Sequence, residues 1–297
     1  MPSNATERAV KARLELMRIH LSLIPVLVIA VVCQSQAPGL TQPSDSLVKQ
    51  ALASEMRSFQ DARHPMSYRL RKSSPRLTST KELYETHDGV VARLVAINDK
   101  PLSPQDEQKE QTRLNQLLSD PGRQRHRKQA QAEDADRALK VLRVLPNAFI
   151  YQFAETGAGP TGPVEKFTFR PNPAFNPPDL ETQALTAMTG EIWVDANQQR
   201  VTHLEGHLDD DVDVGWGIVA RLNKGGWILI EQADVGDHQW RIVHFKMNMS
   251  GRVIFKNKNF DTTEDQSQFA PLPVGLGYRD AIQMMRKDSE TSAHNSR

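Results

Sequence analysis

The sequence predicts an α+β fold: one curved antiparallel sheet of about 9–11 strands with helices laid over its concave face. Two observations carry this. From Ala148 onward, apolar and polar residues alternate with a period of two through segment after segment, broken by turn-forming runs such as Asp195-Ala196-Asn197, Asn223-Lys224-Gly225-Gly226 and Ser250-Gly251. Turns that short join antiparallel neighbours, because a parallel pair needs a crossover of a dozen residues or more. Helical periodicity, by contrast, is concentrated near residues 44–59 and 103–145. A sheet with so many strands must curl or close to limit its exposed edges.

The N-terminus reads as an export signal over residues 1–36. Leu21 to Val32 (LSLIPVLVIAVV) is apolar apart from Ser22 and Pro25. The run is too short to span a bilayer, which takes about 20 residues, but it suits a signal-peptide core. Met17 is a candidate true start, since Arg18 and His20 then precede the apolar run directly. Cys33, the lone cysteine, invites a lipoprotein reading, but Val32 stands where a lipobox wants Gly, Ala or Ser. The plainer reading is a small residue beside a cleavage site. One cysteine also excludes an intrachain disulfide or a cysteine-based zinc site. Removing residues 1–35 takes away four basic and two acidic residues, leaving 33 against 34. That neutrality argues against nucleic acid as a partner.

The domain itself is expected over 44–269. Ser44 or Asp45 caps a first helix carrying Val48, Leu52, Met56 and Phe59, and Pro65 ends it. Strands follow around Met66 to Leu70, Lys81 to Thr86 and Val90 to Ile97, with His87-Asp88-Gly89 as a hairpin turn. A helical insert spans 103–145. Ser103, Pro104 and Asp106 give it a strong start, and Asp120-Pro121 restarts it. Its second half has a charged front and an apolar end (Ala138, Leu139, Val141, Leu142, Leu145), and Pro146 is expected to stop it. After the long run of strands, residues 270–297 read as a short helix and a disordered tail.

One strand face is conspicuously apolar. In Val212 to Leu222, Val212, Val214, Trp216, Ile218, Ala220 and Leu222 share a side; Trp240 to Met249 is apolar on parts of both faces. Either helices fill that face or a gap remains for an apolar ligand. In the second case Trp216, Ile218, Leu222, Trp227, Leu229, Phe245 and Met247 are the candidate lining residues.

Candidate chemistry is sparse. Gly157 to Gly162 matches G-x-G-x-x-G, but Pro163 and a strand pattern follow where a dinucleotide site needs a helix, so it is a hairpin loop. His203 and His207 on a strand lie about 13 Å apart, too far for one metal ion. Asp209, Asp210 and Asp211 lack the spacing of a calcium loop. The basic run Arg123 to Lys128 reads as a solvated helix face or a contact for anionic headgroups. No nucleophile elbow, His-Glu-x-x-His or P-loop occurs. No catalytic residue, cofactor or metal is therefore assigned.

The order of helix, strands, helical insert and long antiparallel run resembles that of bacterial Lol-type lipoprotein carriers (LolA/LolB-like). So do Gly190-Glu191-Ile192-Trp193-Val194-Asp195 and, after a turn, Arg200-Val201-Thr202-His203-Leu204-Glu205. The resemblance implies a half-open barrel whose helix-lidded concave face holds lipid or lipoprotein acyl chains in the periplasm without catalysis. Two alternatives stand beside it. One is an envelope-stress sensor or interaction scaffold that engages a membrane-associated protein. The other is a hydrolase using His203, His207 or His244 with a nearby Asp.

Overall fold

The computed structural model describes residues 43–214, 220–253 and 256–295. Helix α1 (Pro43–Gln60) leads into strands β1 (Met66–Ser74), β2 (Leu77–Tyr84), β3 (Val91–Ile97) and β4 (Lys100–Pro101). Helices α2 (Pro104–Ser119) and α3 (Pro121–Ala148) follow, then β5 (Phe149–Ala158) and β6 (Pro163–Pro171). A 3-10 turn (Gln183–Ala187) precedes β7 (Met188–Asp195), β8 (Arg200–Leu208), β9 (Val212–Val214), β10 (Ala220–Leu222), β11 (Trp227–Asp234), β12 (Trp240–Val253) and β13 (Lys256–Pro271). Helix α4 (Tyr278–Asn295) closes the chain.

All strands form one sheet, every pairing antiparallel, in the order β4-β3-β2-β1-β13-β12-β11-β8-β7-β6-β5. The sheet is not closed into a barrel, so the expected α+β fold with a single antiparallel sheet stands. Among the described residues the strand number is thirteen. The excess over expectation has two sources: the two-residue β4, and the appearance of β9 and β10, paired with each other, where one strand was expected. Ala220 to Leu222 pair antiparallel with Val214 to Val212. Residues 215–219 lie outside the described residues.

This topology explains the helical insert. β4 and β5 are the two ends of the sheet, and α2 and α3 are the connection between them. The 28 residues of α3 extend about 42 Å at ~1.5 Å per residue. Ten strand spacings of ~4.8 Å give about 48 Å, so one helix suffices to recross a curved sheet. Helices α2 and α3 start where the sequence places them, whereas α1 begins at Pro43, so that Ser44 and Asp45 lie within it instead of capping it. Ser103 accepts the Asp106 amide of α2 (3.2 Å), and Asp120 accepts the Gly122 amide of α3 (3.0 Å). Pro146 does not stop α3, which continues to Ala148. Pro146 lies in the last turn, where its missing amide costs one bond to the Leu142 carbonyl, and the Tyr151 hydroxyl donates to the Leu145 carbonyl in that turn (3.0 Å).

Two bodies of apolar side chains result. On the concave face α1 and α3 pack Val48, Leu52, Val141 and Leu145 onto Phe167, Ile192, Leu204, Ile228 and Phe245. On the opposite face of β2 and β3, Tyr84 and Val91 pack with Leu114 and Leu117 of α2 and Ile282 and Met285 of α4. Helices therefore cover parts of both faces. The C-terminal segment is an 18-residue helix where a short one was expected. Ala281, Ile282 and Met285 are fully buried, and Asp288 accepts the Tyr84 hydroxyl at 2.5 Å.

Strand register decides which residues reach the concave side. On β12 the pairing with β11 steps from Glu231↔His244 to Gln232↔Ile242, leaving Val243 as the extra residue of a β-bulge. Trp240 and Ile242 thereby join Phe245, Met247 and Met249 on one face, which is why the strand reads as apolar on both. At Gly190 a side chain is excluded. A Cβ there would stand 1.9 Å from the Glu205 carbonyl oxygen and 2.7 Å from the Phe169 ring.

Candidate functional site

A cavity of about 550 Å³ lies between the helices and the concave face. Helix α1 contributes Leu52 and Phe59, and α3 contributes Val141, Leu142 and Leu145. The sheet supplies its floor through Val201 and Leu204 of β8, Ile230 of β11 and Ile242 of β12. Each sits on its strand's concave face for the same reason of register: Ile230 pairs with Leu204 and with Phe245, both core residues. The size falls within the ~300–1,000 Å³ of ordinary small-molecule sites.

One end is polar. The Arg200 guanidinium grips the Glu55 carboxylate through two bonds (2.9 and 2.8 Å), and the Val201 amide donates to the same carboxylate (3.0 Å). Both side chains are only 12% exposed, so this pair ties α1 to β8 beside the cavity. Arg200 also lies over the Trp240 ring at 5.8 Å. Arg241 donates to the His64 carbonyl (3.0 Å) and faces Glu85 at 3.8 Å. Burial holds the Glu85 carboxyl above its ordinary value, with Arg241 and the Met66 amide pulling it back. Burial, aided by the Glu85 charge, pushes the Tyr68 hydroxyl well above the usual phenol. Asp61 at the rim is half-buried, and its bonds from Arg63 hold its carboxyl far below the usual range.

The candidate lining residues are placed differently. Trp216 and Ile218 lie outside the described residues. Phe245 is buried in the concave core, with Leu222 and Met247 packed against that core. Trp227 and Leu229 point away: they pair with His207 and Glu205, on the convex face opposite Ile228 and Ile230. None of the five described residues lines the cavity. The alternation of β11 already separated Ile228 and Ile230 from Trp227 and Leu229, but it did not say which pair faced inward. For Trp240 and Ile242 the bulge hid the answer.

The histidines weighed for hydrolysis stand on the convex face, apart from the cavity. His203 stacks on Trp193 at 4.2 Å between centroids, with Glu231 at 3.6 Å. His207 meets Glu205 at 2.9 Å, and His244 meets Asp265 at 2.7 Å. Among the described residues no cluster of three His, Cys, Asp or Glu side chains could hold a metal ion. The G-x-G-x-x-G segment is the β5–β6 hairpin loop, closed by the Gly159 amide on the Gly162 carbonyl (2.8 Å).

No family model and no curated protein matches the chain. Among solved structures it is similar to one from Vibrio parahaemolyticus, provisionally described as an outer membrane lipoprotein-sorting protein domain. The identity is 10%, the match covers 78% of this chain and 96% of that one, and the TM-score is 0.32. Overlap that loose carries no argument about this chain's function. No described helix is long and apolar enough to cross a membrane, which leaves the strands unaddressed.

Proposed function

We propose that this chain is a non-catalytic binder and carrier of the acyl chains of lipids or lipoproteins, and that the cavity under α1 and α3 is the chain's site. The observation that carries the reading is the cavity itself, apolar along its helix and sheet walls and polar at one end. Each methylene moved from water into such a site contributes about 0.8 kcal/mol, so ten sheltered methylenes supply roughly 8 kcal/mol before ordering costs. An acyl chain asks nothing more specific of the walls than apolar surface, and its polar head belongs at the wet end. The proposal includes export: residues 1–36 are removed and the carrier works in the periplasm.

Organic extraction of the purified protein, followed by mass spectrometry, tests it. Recovered phospholipid or lipopeptide at about one chain per protein is the expected result. An extract without lipid, together with no binding of a fluorescent fatty acid, refutes it. The mature N-terminus checks export separately, since a chain beginning at Pro2 excludes the signal peptide.

A further inference from the structure

The polar end of the cavity leaves hydrogen-bond donors unused. Tyr68, Trp240 and Arg241 all line the cavity. Trp240 is 5% exposed, and its indole Nε1 is buried without a hydrogen-bond partner. The Nε of Arg241 is buried and unpartnered in the same way. The Tyr68 ring is fixed by stacking on Phe269, 5.5 Å between centroids. Its hydroxyl, close enough to feel the Glu85 and Arg241 charges, makes no hydrogen bond among the described residues. An indole N–H can only donate, and a buried donor is expensive to leave unmade. Since these residues border one cavity, its occupant is placed to supply the acceptor that the protein withholds.

The charges at that end are, by contrast, committed. Arg200 grips Glu55 through two bonds. Arg241 gives one terminal nitrogen to the His64 carbonyl (3.0 Å) and the other to the Trp240 carbonyl (3.4 Å), with Glu85 at 3.8 Å. Glu85 in turn accepts the Met66 amide (2.9 Å). The two histidines that line the cavity stand beside carboxylates as well, His64 at 3.5 Å from Asp61 and His87 at 3.1 Å from Asp88. An ionised carboxylate entering here would give up its water and meet cations that already have partners. Burying a charge on those terms costs far more than burying a neutral group that gains a hydrogen bond.

We infer that the polar end recognises the carbonyl of a neutral acyl ester, with the Trp240 Nε1–H and the Tyr68 hydroxyl as its donors, and so prefers esterified chains to free fatty acids. The inference rests on the proposed function and orients its ligand: methylenes lie along the apolar walls and the ester carbonyl lies at Trp240. A free acid still binds through its methylenes, but without the head's contribution.

Calorimetric titration of the full protein near neutral pH with methyl octanoate, ionised octanoate and N-phenyl-1-naphthylamine, an apolar probe without a carbonyl, tests this. The ester is expected to bind at least about tenfold more tightly than octanoate. A single hydrogen bond is worth about three- to tenfold in affinity. Tyr68→Phe, which keeps the ring on Phe269, and Trp240→Phe are each expected to weaken the ester by about that factor. The double variant is expected to weaken it at least about tenfold, with N-phenyl-1-naphthylamine bound no more weakly than by the parent. If the double variant does not fold, Tyr68→Phe, which removes only an unbonded hydroxyl, carries the same comparison. Equal losses of ester and naphthylamine would mean that these residues only pack the wall, and would overturn the inference. Octanoate bound as tightly as the ester, or an ester affinity unchanged in the variants, overturns it too and leaves the acyl proposal standing. A parent that binds none of the three probes refutes both.

Discussion

Replacing Glu55 by alanine probes the attachment of α1 to the sheet. The carboxylate accepts two charge-assisted bonds from Arg200 and one from the Val201 amide, all between 2.8 and 3.0 Å. Truncation strands a guanidinium that is 12% exposed and a strand amide. Breaking a buried ion pair typically costs 3–5 kcal/mol, and the residual exposure places this one at the lower end, about 3 kcal/mol. For a domain of this size that is a fall of roughly 6–12 °C in Tm, measured by circular dichroism or calorimetry. Glu55→Gln, which keeps an acceptor for Val201, is expected to lose about half as much. Adding Arg200→Ala to Glu55→Ala is expected to recover part of the loss, because the unpaired charge goes with it. A fall below about 1 kcal/mol for Glu55→Ala, with no recovery in the double variant, would mean a screened surface pair and would refute the reasoning.

Phe245→Ala, in the concave core, is expected to cost about 3–5 kcal/mol in denaturant unfolding, while Leu229→Ala on the convex face costs about 1 kcal/mol or less. Equal losses would overturn the register assigned to β11 and β12. Gly190→Ala is expected to destabilise by about 3 kcal/mol, because backbone as well as a ring must move; a melting temperature equal to the parent's would contradict the close approach. Glu85 binds its proton more tightly folded than unfolded. Its contribution is therefore present in acid and lost as pH rises through the raised folded value. Glu85→Gln should accordingly gain in Tm relative to the parent on going from about pH 4 to pH 8, and a gain independent of pH would exclude this cause.

Most of the architecture was legible because alternation and turn chemistry are local. Asp195 is an example: it accepts the Asn197 and Gln198 amides (2.9 and 2.7 Å) and the Thr161 hydroxyl, as a turn aspartate should. What a period of two cannot convey is which face is inner, and it changes sign at every bulge. Val243 is one such residue, and it separated Trp240 and Ile242 from the strand face they share with Phe245. Residues 212–222 alternate without a break, so nothing local announced the reversal between β9 and β10. The length of α3 was visible, but its purpose was not, since a connection between opposite sheet edges is a property of topology.

The central claim is that an acyl chain occupies the cavity bounded by Leu142, Leu204 and Ile230. Its most direct measurement is the binding isotherm of a fluorescent long-chain fatty acid to the delipidated parent and to Ile230→Trp, which adds an indole to the cavity floor. One saturable site in the parent and at least a tenfold weaker one in a folded Ile230→Trp variant are expected, since each excluded methylene forfeits about 0.8 kcal/mol. Identical isotherms for the two proteins would place the chain elsewhere and contradict the account.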